Sequence, residues 1–198
     1  MSFSYKEFPE DVLNAFESII KVHNMSVERK EDYYVGLSNK HVKITFAYDK
    51  GDLYAELRKK NDDFTFAIYQ VYRHLYGTKA EANNQNLKSD GVRNPKADLV
   101  WFAKLFENEL SSILTGDFSW YEELRAAKEY ENQLVSIVLG PHLNHAHPIS
   151  QKFWKGDSTW REDVEQFIRD KGIELKPTYN STLPKAGRSW WQKLLGPE

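Results

Sequence analysis

Tyr33-Tyr34-Val35-Gly36-Leu37, Val42-Lys43-Ile44-Thr45-Phe46-Ala47-Tyr48 and Leu53-Tyr54-Ala55-Glu56-Leu57 are three short runs in which apolar and polar residues alternate. A period of two places Tyr33, Val35 and Leu37 on one face of a pleated strand. It does the same for Val42, Ile44, Phe46 and Tyr48, and for Leu53, Ala55 and Leu57. Asn39-Lys40 and Asp49-Lys50-Gly51-Asp52 separate the runs and read as hairpin turns. The expectation is a three-stranded antiparallel meander. It fixes an architecture and no chemistry.

Helical periodicity flanks the meander. Pro9 suits a first turn, Glu10 and Asp11 suit the positive end of a helix, and Val12, Leu13, Phe16, Ile19, Ile20 and His23 recur at helical spacing before a stop at Asn24. After the third strand, Phe64, Ala67, Ile68, Val71, Tyr72 and Leu75 predict a second helix stopped by Gly77. Residues 1–77 therefore read as an α-β-β-β-α module in two layers.

Residues 78–93 are almost without apolar side chains and read as a linker or insertion loop. Asn94-Pro95 opens a stripe of Leu99, Phe102, Ala103, Phe106, Leu110, Ile113 and Leu114 that ends at Gly116. Ser119-Trp120-Tyr121-Glu122 has the form of a capping box and starts a helix through Leu124, Ala127, Leu134, Val135 and Val138. Residues 94–140 are thus expected to form an antiparallel helical hairpin packed on the module. Residues 141–198 add a His-rich and Pro-rich loop that runs to Asp157, a helix opened by a second capping box, Thr159-Trp160-Arg161-Glu162, with Val164, Phe167 and Ile168, and a Trp-containing tail. The fold class expected is α+β, with all three parts in one cooperative body.

At 198 residues the chain is long enough to bury a sizeable core. A formal net charge of −2 argues neither for a polyanion partner nor for strong steering. Cysteine is absent, which removes disulfides, thiolate metal sites and cysteine nucleophiles. The first residues lack a basic stretch followed by an apolar one, so no secretory signal is read. The longest apolar run, Leu99-Val100-Trp101-Phe102-Ala103, is far short of a membrane span. A soluble cytoplasmic protein without a membrane partner is the expectation.

Candidate chemistry is sparse. His142, His145 and His147 fall within six residues and can converge on zinc, with Asp157 as a fourth ligand, in a metal-dependent hydrolase. The competing and favoured reading is a solvent-exposed loop, and no cofactor is assigned. Glu131 continues an inward stripe, either as a general acid or base or, preferably, as the partner of a basic residue on a neighbouring helix. No Gly-rich nucleotide loop and no nucleophile elbow occurs.

The aromatics, eleven Phe, eleven Tyr and six Trp, carry the most functional weight. Tyr69, Tyr72 and Tyr76 form a stripe beside the Ile68, Val71 and Leu75 face. They either cover the helical hairpin or meet a partner. Trp190 and Trp191 either clamp the tail or form an exposed anchor, since Tyr and Trp supply most interface hot spots. Lys185, Arg188 and Lys193 interleave with these Trp residues as on a stacking platform, but the basic residues are few and a nucleic-acid partner is not expected.

Two segments resemble a widespread group of small bacterial proteins, some of them immunity proteins of polymorphic toxin systems. One is the strand pair at Tyr33-Tyr34-Val35-Gly36-Leu37 and Val42-Lys43-Ile44-Thr45-Phe46-Ala47-Tyr48-Asp49, leading into Leu53 to Leu57. The other is Leu110-Ser111-Ser112-Ile113-Leu114-Thr115-Gly116-Asp117-Phe118-Ser119. The resemblance covers residues 8–139, brings no catalytic residues, and implies a non-enzymatic protein that silences a cognate toxin by steric occlusion. An adaptor subunit of a larger assembly is a further alternative.

Overall fold

The computed structural model describes residues 5–77 and 94–176. It is α+β, and the chain divides into two compact units at the Ser119–Trp120 junction. That junction falls between the two helices that the sequence pattern joins in a hairpin.

In the first unit, helix α1 (Phe8–Ala15) and helix α2 (Glu17–Val22) stand where one continuous helix is expected. Phe16 interrupts the helical run with φ −99° and ψ 8°, while main-chain bonds from Phe16 N to Val12 O and from Ile20 N to Phe16 O bridge the bend. Asn24 provides the expected stop. Its φ is 50°, and Met25 N donates to Ile20 O at 2.9 Å to close the last turn.

The sheet has five strands, not three, in the order β1 (Ser26–Glu31), β2 (Tyr34–Ser38), β3 (Val42–Asp49), β4 (Asp52–Lys59) and β5 (Thr65–Ala67), every neighbouring pair antiparallel. Both additional strands are edges, and each escapes the period-two test for a physical reason. All six residues of β1 are exposed, so Ser26-Val27-Glu28-Arg29-Lys30-Glu31 has no buried face to write a pattern. Its charges and the bulge between Val27 and Arg29 protect an edge from unwanted pairing. The helical stripe expected from Phe64 takes in Ala67, which belongs to β5. Helix α3 (Ile68–Tyr76) begins four residues after Phe64, and Gln70 Oε1 accepts from Ala67 N at 3.3 Å.

Rows of inward side chains run across the sheet: Leu37, Ile44, Leu57 and Phe66 in one, Val35, Phe46 and Ala55 in the next. All are buried, as are Phe8, Val12, Phe16 and Ile19 of α1, α2 and the bend between them. Helix α4 (Pro95–Asn108) adds Leu99, Ala103 and Phe106, and the short helix α5 (Ser111–Leu114) adds Ile113 and Leu114. Asn94 caps α4 as expected, accepting from Lys96 N and Ala97 N.

Aromatic rings run through this core in an unbroken series. Phe106 meets Phe16, Phe16 meets Phe46 with centroids 4.7 Å apart, and Phe46 meets Phe102. Phe102 meets Trp101, Trp101 meets Tyr72, and Tyr72 meets Tyr76. Much of the aromatic content therefore lies inside the first unit.

Asn39 ties the β2–β3 turn to two other segments. Its Oδ1 accepts from His41 N at 2.8 Å and Val42 N at 3.0 Å, and its Nδ2 donates to Leu114 O at 2.9 Å and His23 O at 3.3 Å. Every strong donor and acceptor valence on that side chain is used. The β3–β4 turn is a two-residue hairpin in which Lys50 (φ 51°) and Gly51 (φ 99°) are both left-handed, the geometry of a type I′ turn.

The second unit packs helix α6 (Tyr121–Leu139), helix α7 (Pro148–Lys155) and helix α8 (Trp160–Lys171) around Leu134, Ile137, Val138, Leu143, Ile149, Trp160, Val164 and Ile168. Helix α7 lies in a stretch expected to be loop throughout. The two expected capping boxes do not form: neither Ser119 nor Thr159 supplies a side-chain cap to the helix after it. Asp117 accepts instead from Ser119 N, and Asp157 from Thr159 N and Oγ1. These bonds hold both carboxyls below the usual carboxylate range.

Candidate protein-binding surface

Tyr72 goes to the interior and His147 to a helix end, whereas His142 and His145 are exposed. Tyr72 is fully buried, and Tyr76 is half-buried with its hydroxyl donating to Glu109 O at 2.7 Å. Tyr69 is also half-buried. Leu75, expected on the inward face, is 39 % exposed. The buried side of α3 is thus rotated toward Tyr72 and Trp101, because the rings fill the space beside α4. Trp190, Trp191, Lys185, Arg188, Lys193 and the segment 78–93 lie outside the described residues.

His142, His145 and His147 form no metal-holding group: among the described residues, no cluster of three His, Asp or Glu side chains is placed to hold an ion. His147 is the N-cap of α7, its Nδ1 accepting from Ile149 N at 3.3 Å and its ring standing edge-on to Phe167. His145 lies beside Trp154, and His142 is exposed. Asp157 is engaged by Thr159, as described above. Glu131 accepts from Arg161 through both carboxylate oxygens, with Arg161 Nη2 to Oε1 at 2.7 Å. That guanidinium also lies over the Trp160 ring at 4.7 Å. Glu131 is therefore a structural ion pair between α6 and α8, tighter than a point-charge contact because the fork matches the carboxylate.

Leu143 explains the loop before α7. It is buried in the core of the second unit between His142 and His145, which turns both rings outward. Trp154, 60 % exposed on α7, is a candidate anchor that loop assignment of this stretch conceals. Ile149 and Phe153, four residues apart beneath His147-Pro148, are the helical signal that reveals it.

A second candidate surface is the outer face of the five-stranded sheet in the first unit. Register sets its rows: Glu31, Tyr34, Ala47 and Tyr54 in one, then Arg29, Gly36, Thr45, Glu56 and Ala67, then Ser26, Ser38, Lys43, Arg58 and Thr65. Small residues fill the centre and rings flank them. Tyr54 is 51 % exposed. Tyr34 leans over Gly36, its hydroxyl 3.3 Å from Thr45 Oγ1, and the Arg29 guanidinium lies over the Tyr34 ring at 4.5 Å. Tyr33, expected on the inward set, sits in the β1–β2 turn and is 43 % exposed. The period of two that buries Ala55 and Leu57 also turns Tyr54 outward, so this face was legible in the same pattern as the core.

Two charge constellations occupy the face. The bulge in β1 delivers Glu28 to Lys60 at 2.6 Å, Lys43 at 2.9 Å and the buried Ser38 hydroxyl at 2.5 Å. The Lys60 hydrogen bond first, then Ser38 and Lys43, bring its carboxyl down to about 2. At the other end, Glu31, Asp32, Tyr33 and Tyr34 line an open depression of about 430 Å³. Arg29 pairs with Glu31 there through two bonds of 2.7 Å. This arrangement offers recognition chemistry. The hydroxyl that meets a carboxylate there, Ser38 on Glu28, is buried.

Comparison with known proteins adds no neighbour: no protein-family model, no curated protein and no solved structure matches the chain. No described helix is long and apolar enough to cross a membrane.

Proposed function

We propose that this protein acts without catalysis of its own, by binding another protein through the outer face of its five-stranded sheet. In its most concrete form it is an immunity-type protein that occludes a toxin. The observation that carries this reading is the row Tyr34, Ala47 and Tyr54 across three central strands, with Tyr54 51 % exposed. A rigid ring beside a small residue gives a knob and a hole at low entropic cost. Covering the exposed half of the Tyr54 ring contributes about 1 kcal/mol.

Strand addition is disfavoured by the edges: β1 is charged and bulged, and β5 has three residues. A partner therefore meets side chains on the face. The test is affinity capture from native lysate with wild type and Ala47→Arg as baits. Ala47 is outward and half-buried, so a long side chain there fills the hole and leaves the core rows untouched. One dominant partner retained by wild type and lost by Ala47→Arg, at unchanged melting temperature, supports the reading. Equal retention by both, or no partner at all, overturns it.

A further inference from the structure

We infer that the partner presents arginine side chains to the acidic, tyrosine-lined end of the outer sheet face, where Glu31, Asp32, Tyr33 and Tyr34 form the receiving depression. The inference rests on the protein-binding reading above and names the partner's chemistry.

The meander sorts charge along the strands. The β1–β2 and β3–β4 turns lie at the same end of the sheet, because β1 and β3 end where β2 and β4 begin. That end gathers Glu31, Asp32, Asp49 and Asp52 with Tyr33, Tyr34 and Tyr54, against Lys50 in the turn and Arg29 and Lys30 on the edge. Lys30 is held by Glu10 at 2.5 Å and Arg29 by Glu31. The opposite end gathers Lys40, Lys43, Arg58, Lys59 and Lys60, against Glu28, Asp62 and Asp63. The face thus has an acidic aromatic pole and a basic pole, and a partner that covers the first is matched by positive charge.

Arg29 shows which cation suits this pole. Its guanidinium lies over the Tyr34 ring at 4.5 Å and forks onto both Glu31 oxygens. A cation over a ring combined with bidentate pairing to one carboxylate is arginine chemistry, because a lysine ammonium has no planar fork to match both oxygens. Beyond this internal pair the depression offers the Tyr33 ring, 43 % exposed, and the exposed Asp32 carboxylate in the same turn. A second guanidinium entering there meets the same two elements, a ring face and a carboxylate. The site selects for charge and plane together. A neutral planar urea lacks the first and an ammonium lacks the second.

The test uses the full chain and a defined probe, acetyl-Gly-Arg-Gly-Arg-Gly-amide, with its citrulline counterpart as a neutral isostere. Amide chemical-shift titration is expected to give saturable changes at Glu31–Tyr34 and around Asp52 and Tyr54. Binding is expected to be at least fivefold weaker for the citrulline peptide. It is also expected to be at least fivefold weaker for Asp32→Asn and for Tyr33→Ala at unchanged melting temperature. Changes spread over the whole surface, equal binding of the citrulline peptide, or no saturable change overturn the inference. Partner capture that Ala47→Arg abolishes, together with no arginine-peptide binding, refutes the inference and leaves the protein-binding reading intact. Saturable peptide binding with no captured partner leaves arginine recognition by the depression standing, but removes the protein-binding reading and with it the claim about a partner.

Discussion

Replacing Asn39 tests whether one side chain holds the β2–β3 turn, the end of α2 and the end of α5 together. Asn39→Ala deletes four hydrogen bonds, to His41 N, Val42 N, Leu114 O and His23 O. Each contributes about 0.5–1.5 kcal/mol net, and groups left without a partner away from water cost more. The residue is half-buried, so some of the four backbone groups regain water. The expected loss is about 2–4 kcal/mol, carried by the first unit. Urea unfolding followed by far-UV circular dichroism reads the midpoint. Hydrogen exchange at His41 and Val42 reads the local opening, which should accelerate before the rest of the sheet.

Asn39→Asp separates the two halves of the network. It retains an acceptor for His41 N and Val42 N but turns a carboxylate oxygen toward the Leu114 and His23 carbonyls. Relative to Asn39→Ala, its deficit should shrink as pH falls toward about 4, the ordinary carboxylate value, and be smallest below it, because a proton on the outer oxygen restores a donor. The folded state then binds more protons than the unfolded state, so the variant gains stability as pH falls. A loss below about 1 kcal/mol for Asn39→Ala, with unchanged exchange at His41 and Val42, refutes the reasoning.

Glu28 sets an acid limit for the edge strand. Its folded-state carboxyl lies at about 2, below its ordinary value of 4.5, so its contribution is fully present above about 4.5 and is lost as pH falls toward 2. Glu28→Gln should flatten the stability–pH curve in that window, and identical curves would remove Lys60 and Lys43 as the cause. Lys50 occupies a left-handed position in a type I′ turn that Asn tolerates better, so Lys50→Asn should raise stability by about 0.5 kcal/mol in a thermal melt. His147→Ala should cost about 1 kcal/mol through loss of the α7 cap, while His147→Asn, a good cap itself, should retain most of it. Equal losses in the two variants would mean that ring packing against Phe167, not the cap, sets the effect.

Elements with one buried face were legible in the chain. Strands β2, β3 and β4 alternate because Val35, Leu37, Ile44, Phe46, Ala55 and Leu57 must all leave water on the same side. Asn24 as a stop and Asn94 as a cap were readable because a left-handed turn and an orphan N–H each demand few residue types. Strand β1 was not legible, because a wholly exposed edge carries no periodicity. Helix α7 was hidden by flanking His and Pro, although His147-Pro148 is itself a cap followed by a first-turn proline. The candidate surface was half legible: Tyr54 faces outward by alternation alone, whereas Glu31 and Asp32 joined it only once β1 paired with β2.

By itself, the order of residues determined the antiparallel meander, the helices that bracket it and the absence of cysteine chemistry, because each follows from local spacing and composition. Tertiary structure alone decided which rings are buried and which carboxylates are paired. Tyr72 and Tyr54 are both tyrosines in regular elements, yet one is closed in beside Trp101 and the other stands in solvent. Glu131 and Asp32 are both acidic, yet Arg161 comes from a helix thirty residues away to claim the first, and the second borders an open depression. Burial and charge pairing depend on what the rest of the chain brings alongside, and that is a property of the folded molecule.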